Sequence, residues 1–372
     1  MDRYALIAPR LFDGEAFHED VVVQVEAGRI VALSDRTGPL PQIRAEGLVT
    51  PGMVDLQVNG GGGEMLGAQT DAAQIARLIA THARLGATSI LPTLITDSAG
   101  VTARVIEAGI ACRDLPGFLG LHLEGPHLDP ARKGAHDPAL IRPMTEADLQ
   151  RLLAAARALP ALMVTLAPAA ASNAQIERLA AGGVIVALGH SDCSFEEAEA
   201  ATRAGARCAT HLFNAMSQPQ GRAPGLAGAV MAGQLRAGII ADSHHVSIPM
   251  MQIALRARPE GIYLVSDAMA VAGTEDEGFT LNDRQVLRQG GRLTLADGTL
   301  AGADITLPES VAVLIHKAGV SADRALAMAT SVPADVLGAP VGRIAEGLRA
   351  DFLTLTPEGR LSAVWQNGAR LL

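Results

Sequence analysis

Hydrophobic and polar positions follow two rhythms along this chain. Near its start, Ala5-Leu6-Ile7 and Val21-Val22-Val23-Gln24-Val25 are short apolar runs parted by the turn signals Asp13-Gly14 and Ala27-Gly28. Near its end, Asp351-Phe352-Leu353-Thr354-Leu355 and Ala363-Val364-Trp365 have the same character, punctuated by Pro357, Gly359 and Asn367-Gly368. Strand-rich ends around a long middle predict one small β-sandwich domain built from both chain ends, over residues 1–48 and 345–372.

Over residues 49–344 an amphipathic stretch repeatedly precedes an apolar run. Ala72 to Arg84, with Ile75, Leu78 and Ile79 on one face, leads through Gly86 to Ser89-Ile90-Leu91. Thr145 to Ala158 leads to Leu162–Leu166, Asn173 to Ala181 to Val184–Leu188, and Ser194 to Ala204 to Cys208-Ala209-Thr210. Ser194 with Glu197 three residues on predicts a capping box that fixes one helix start. Helices alternating with buried strands imply parallel β/α units. Eight strands are expected, near Val54, Ile90, Leu121, Val164, Val186, Thr210, Ile240 and Leu264. Eight close a (β/α)₈ TIM-like barrel, and a doubly wound sheet is the alternative. Near 277–300 the rhythm breaks around Gly290-Gly291 and Asp297-Gly298, which predicts a hairpin-like insertion after the last barrel strand.

The length of 372 residues suits a barrel of about 250 residues plus an appendage. With 49% hydrophobic but 3% aromatic residues, the core must be built from Ala, Val, Leu and Ile. A net charge of −9 without a basic cluster argues against nucleic acid as a partner. Cys112, Cys193 and Cys208 form no C-x-x-C pair, so a disulfide framework or Cys-based zinc site is not expected. No apolar leader follows Met1, and no run reaches the ~18 uncharged apolar residues of a membrane span. A soluble cytoplasmic protein is expected.

Active sites of β/α barrels lie at the C-terminal ends of the strands. There the chain places Asp55-x-Gln57-x-Asn59, His122-x-Glu124, Gly189-His190-Ser191, Thr210-His211, Asp242-Ser243-His244-His245 and Ser266-Asp267. Any one of these could be a satisfied structural group, but packing alone does not explain the set. Glu124, His190 and His211 match a catalytic divalent-metal site with three protein ligands. Such an ion provides hydroxide near neutral pH and polarises a carbonyl. Asp267 is the natural general base, able to pass the proton on to a departing amine.

The segments Pro51-Gly52-Met53-Val54-Asp55, Leu123-Glu124-Gly125-Pro126-His127, Lys133-Gly134-Ala135-His136, Gly189-His190-Ser191, Thr210-His211-Leu212-Phe213-Asn214-Ala215-Met216 and Val265-Ser266-Asp267-Ala268-Met269 carry a family likeness. Over nearly the whole chain the sequence resembles the N-acetylglucosamine-6-phosphate deacetylases of the amidohydrolase superfamily. The resemblance implies hydrolysis of the acetamide of a phosphorylated amino sugar, in amino-sugar catabolism. It implies that Glu124, His190 and His211 bind the ion, that Asp267 is the acid/base, and that His136 polarises the acetamide carbonyl, with Ala135 beside it. It assigns the sugar phosphate to Asn214, Ala215, Arg222 and His245. It also implies a homodimer, in which loops of one subunit reach the other's phosphate site. An arginine fork suits a phosphate dianion approaching an acidic protein.

One departure bears on metal count. Many amidohydrolases carry His-x-His at the end of the first strand, where this chain has Gln57-x-Asn59. Amides are weak ligands, so one ion per subunit is expected. Zn²⁺ is the first choice, and Fe²⁺, Mn²⁺ and Co²⁺ also suit the donor set. His122 is expected to face the barrel interior near the ligands, and His244 the opposite side from His245. His18, His82, His127 and His316 are expected to be structural or exposed. The rival readings are a deacetylase for the galacto epimer and a barrel that has lost catalysis. The second would lack at least one of Glu124, His190, His211 and Asp267, and all four are present.

Overall fold

A computed structural model describes residues 3–372. Eight parallel strands run in chain order around a barrel: Val54–Val58, Ser89–Ile95, Leu121–Glu124, Leu162–Leu166, Ile185–Leu188, Cys208–Ala209, Arg236–Ile239 and Ile262–Leu264. The strands expected near Thr210 and Ile240 end one residue earlier, because there the chain already turns into the loops at the C-terminal rim of the barrel. The inner face carries Val54, Leu56, Leu91, Leu119, Met163, Ile185, Ala187, Tyr263 and Val265, and the alternate positions pack outward against the helices. This alternation is the pleat of each strand at work.

The helices start where short polar side chains can cap them. In α1 (Ala72–Arg84), Asp71 accepts from the Gln74 amide, and Ile75, Leu78, Ile79 and His82 form the buried stripe. The helix Phe195–Arg203 has the expected Ser194/Glu197 capping box. Further boxes, Thr145/Asp148, Ser172/Gln175 and Thr306/Glu309, start Glu146–Ala158, Asn173–Ala181 and Leu307–His316. Each box satisfies two otherwise orphaned helix N–H groups.

The barrel does not close by a regular ladder. Between its first and eighth strands the backbone contacts are Asp267 N–H to Gln57 O (3.1 Å), Asn59 N–H to Ala268 O (2.9 Å) and Gly60 N–H to Ala268 O (3.0 Å). Lower down, the carbonyls of Ala329 and Met328 enter the gap and accept from Val54 N–H and Leu264 N–H, both at 2.9 and 2.8 Å respectively.

Both chain ends build one further eight-stranded sheet. Leu48–Pro51 pairs in parallel with Arg3–Phe12 on one side and antiparallel with Phe352–Leu355 on the other. The sheet wraps a core of its own that includes Tyr4, Leu6, Val23, Ile30, Val49, Phe352 and Trp365. The insertion is a four-stranded antiparallel sheet, Gly278–Leu281, Arg284–Gln289, Arg292–Thr294 and Leu300–Ala303. It therefore runs slightly past the expected end. No helix among the described residues is long and apolar enough to cross a membrane.

Candidate active site

The strand ends converge on a cavity of about 490 Å³. Its lining includes Glu124, Ala135, His136, His190, His211, Asn214, Ala215, His245 and Asp267, nine of the ten positions singled out from the sequence. Glu124, His190 and His211 present ligand atoms within 4.8 Å of one another, and all three are buried. Glu124 Oε1 lies 3.3 Å from His190 Nε2 and 3.1 Å from His211 Nε2, while the two imidazole nitrogens are 3.0 Å apart. The Arg132 carbonyl, 2.8 Å from His190 Nδ1, fixes that proton on Nδ1 and leaves Nε2 a lone pair. One carboxylate and two imidazole nitrogens aimed at a common point in a buried site fit a divalent ion.

Asp267 lies at the end of the eighth strand, on backbone held at φ +49°. Its Oδ1 accepts from Asn59 Nδ2 at 2.7 Å and from Gln57 Nε2 at 3.0 Å. Gln57 Nε2 also reaches Glu124 Oε1 at 3.2 Å, so one amide bridges the two carboxylates. Burial first, then the Glu124 charge, push the Asp267 carboxyl up to about 6, against the pull of His211, His245 and Asn59. That places it near the range a general base uses.

His136 has its tautomer set by Thr96. Both the Thr96 N–H (3.3 Å) and its hydroxyl (2.8 Å) meet Nδ1, so Nδ1 carries the lone pair and Nε2–H faces the cavity. Burial above all, with the neighbouring His190 ring, holds this imidazole down at about 3. It is thus a neutral donor near neutral pH. His245 Nδ1 pairs with Asp242 Oδ2 at 2.6 Å, and Asp242 Oδ1 accepts the amides of His244 and His245. This turns His245 toward the cavity and His244 away, where His244 Nδ1 accepts from Arg292 of the insertion at 3.1 Å.

Arg222 is the exception. It is exposed on the loop after the sixth strand and does not line the cavity of the single chain. The Asn214 backbone N–H is occupied by the His211 carbonyl at 2.9 Å, so only its side chain remains for a ligand. His122 lies inside the barrel as expected but touches no ligand. Its Nδ1–H reaches Leu56 O at 3.1 Å, and its Nε2 accepts from Thr165, whose oxygen meets the Thr210 hydroxyl at 2.6 Å. His82 and His127 are buried structural groups, and His18 and His316 are exposed.

Sequence reasoning missed three features. Gln57 and Asn59 stood out as absent metal ligands, not as the grip on Asp267. Arg132 lines the cavity beside its ion pair with Asp192 at 2.7 Å. The insertion supplies Leu281, Thr299, Leu300 and Gly302 to the wall, and Arg284 donates to the Ala135 carbonyl. The only signal for the insertion's role was its position directly after Asp267.

The fold, with a buried Glu/His/His cluster at the strand ends that could hold a divalent ion, is that of a hydrolase barrel. The sequence profile of the amidohydrolase family matches residues 48–371, and the chain belongs to that family. It is 36% identical over 365 residues to an N-acetylgalactosamine-6-phosphate deacetylase of Shewanella sp. (strain ANA-3), covering 95% of this chain and 92% of that one. It is 34% identical over 340 residues to the human N-acetylglucosamine-6-phosphate deacetylase, covering 86% and 82%. The crystal structure of N-acetylglucosamine-6-phosphate deacetylase from Pasteurella multocida superposes with a TM-score of 0.94 at 29% identity, covering 99% of both chains.

Proposed function

We propose that this protein hydrolyses the acetamide of N-acetyl-D-glucosamine 6-phosphate to D-glucosamine 6-phosphate and acetate, in amino-sugar catabolism. The observation that carries the reading is the convergence of Glu124, His190, His211, Asp267 and His136 on one cavity, in a chain so similar to named deacetylases. One Zn²⁺ held by Glu124, His190 and His211 would supply Lewis acidity and a hydroxide at neutral pH. His136 donates from Nε2 to the acetamide oxygen and stabilises the charge that develops there. Asp267 takes a proton from the attacking water and delivers it to the departing nitrogen. Asn59 and Gln57 hold its carboxylate in place for both transfers. His245, Asn214 and Ala215 take the sugar phosphate, with Arg222 completing the site from the second subunit of a homodimer. Binding energy from that remote phosphate orients the acetamide.

The similarity to the Shewanella protein favours a second reading, in which the galacto epimer is the substrate. Steady-state deacetylation of both epimers, each with and without the 6-phosphate, separates them. The gluco phosphate should give the highest kcat/KM. A higher value for the galacto phosphate transfers the assignment to that sugar, and loss of any preference for phosphate removes both.

A further inference from the structure

Behind the catalytic rim, on the outer side of the open barrel seam, lies a second cavity of about 390 Å³. Its lining includes Asp55, Ser266, Ala268 and His82, together with Arg288 of the insertion and Thr306 at the start of Leu307–His316. Asp55 has no exposure at all. Its Oδ1 accepts from the Gln57 N–H at 3.2 Å, and both its oxygens lie 3.2 Å from the Ser266 N–H. Asp55 therefore ties the residue two places ahead of it to the residue just before Asp267.

The location explains why a carboxylate is needed. The first strand breaks register with its neighbour between Asp55 and Val58. Across this break Leu56 packs inside the barrel, yet the Gln57 amide reaches into the active site. At this level of the seam the Met328–Ala329 carbonyls lie below and the Gln57–Asp267 contact above. Asp55 spans the interval with side-chain oxygens where a ladder would use carbonyls. The Ser266 hydroxyl accepts from the Ala268 N–H at 3.2 Å and extends the same tie past Asp267. Burial pushes the Asp55 carboxyl up to about 7, so the Gln57 and Ser266 hydrogen bonds offset only part of the cost of holding its charged form here.

We infer that Asp55 is a positioning residue: by clamping the backbone of Gln57 and Ser266 across the open seam, it sets the place of the Asp267 carboxylate and of the amide that grips it. The inference rests on Asp267 being the base. Asp55→Asn keeps the shape but turns one oxygen into a donor facing backbone N–H groups. The test is a cycle of Asp55→Asn, Asp267→Asn and the double variant, with kcat, KM and bound metal measured on each sample. A residue acting through Asp267 has nothing to act on once that carboxylate is gone. Asp55→Asn alone should lower kcat about 10- to 100-fold, with KM within about twofold and metal content unchanged. On the Asp267→Asn background it should change the residual rate by less than about twofold.

Unchanged kcat in Asp55→Asn, an equal fold-loss on both backgrounds, or metal loss in step with activity would each overturn the inference. Full activity of Asp267→Asn by itself would overturn the base assignment as well, and it is recognised because it shows in the single variant. If Asp55→Asn does not fold, Ser266→Ala takes its place in the cycle. It removes only the hydroxyl, with an expected loss of about 3- to 10-fold and the same non-additivity; an additive loss there overturns the inference too.

Discussion

Asp267 receives two amide donors on a single oxygen, and those amides, from Gln57 and Asn59, stand where many amidohydrolases carry His-x-His. The same substitution thus has two consequences. It withdraws strong ligands, so elemental analysis of protein purified without added metal should find about one divalent ion per chain. Two ions at full occupancy would contradict that expectation. It also leaves Asp267, the proposed base, held by neutral groups, so Asp267→Asn should keep the metal while turnover falls about 100-fold or more. Near-full activity in that variant would move the base elsewhere. The positions that line the cavity were readable in the sequence because strand ends carry chemistry in a barrel, and a His or Glu there stands out against Val and Leu. The grip of Gln57 and Asn59 was not readable, since it depends on how the first and eighth strands meet. Nor was the His136 tautomer, which rests on a contact with Thr96, forty residues earlier in the chain.

Elements deliver these residues on strained backbone. His190, His211, Phe213, Ala215, Ser243 and Asp267 all have positive φ, and all lie just past barrel strands. Strain of this kind persists where the surroundings over-determine the conformation. Gly302 shows the constraint from the insertion's side: at φ +71°, a Cβ there would lie 2.2 Å from Met269 Cγ and 2.8 Å from Asp267 O. The helix α1 supports the rim from behind, where His82 Nε2–H donates to the Gly60 carbonyl at 2.8 Å. Burial pulls that imidazole down to about 4, below its value in the unfolded chain. The stability it contributes is therefore complete above about pH 6.5 and is lost as pH falls toward 4. Urea denaturation should show wild type losing its advantage over His82→Gln between pH 7.5 and 4.5, by on the order of 2 kcal/mol. A difference that stays constant with pH would mean that His82 does not titrate in this way. The helices Ala72–Arg84, Glu146–Ala158, Asn173–Ala181 and Phe195–Arg203 were legible in the sequence to within a residue, whereas Leu307–His316 was not read although it carries its own capping box. The two-residue strand Cys208–Ala209 and the four-stranded insertion were harder, because neighbours supply most of what defines them.

At the scale of the whole molecule, the cavity of one chain holds only part of the proposed phosphate site. Arg132 and His245 line it, whereas Arg222 stands exposed outside. If Arg222 reads phosphate from a second subunit, Arg222→Ala should lower kcat/KM about 10- to 150-fold for the phosphorylated sugar, the loss of one charge-assisted contact. The unphosphorylated sugar should be hardly affected. An equal effect on both sugars, or none on either, would separate this loop from the phosphate. The division into a barrel and a β-domain made from both ends was legible because the two regions differ in rhythm. The seam was not, because a broken ladder leaves no mark in hydropathy. The β-domain has a further consequence for how the protein is made. Leu48–Pro51 needs Phe352–Leu355 as its partner on one side, and the ribosome delivers that strand only after the entire barrel. Until then the nascent chain carries an open sheet edge and lacks Phe352 and Trp365 from its core, a state prone to wrong pairing. Strands made after the barrel therefore complete a domain begun before it, and synthesis that stops between the two would leave a chain with a nearly finished barrel and an exposed edge for chaperones and proteases to find.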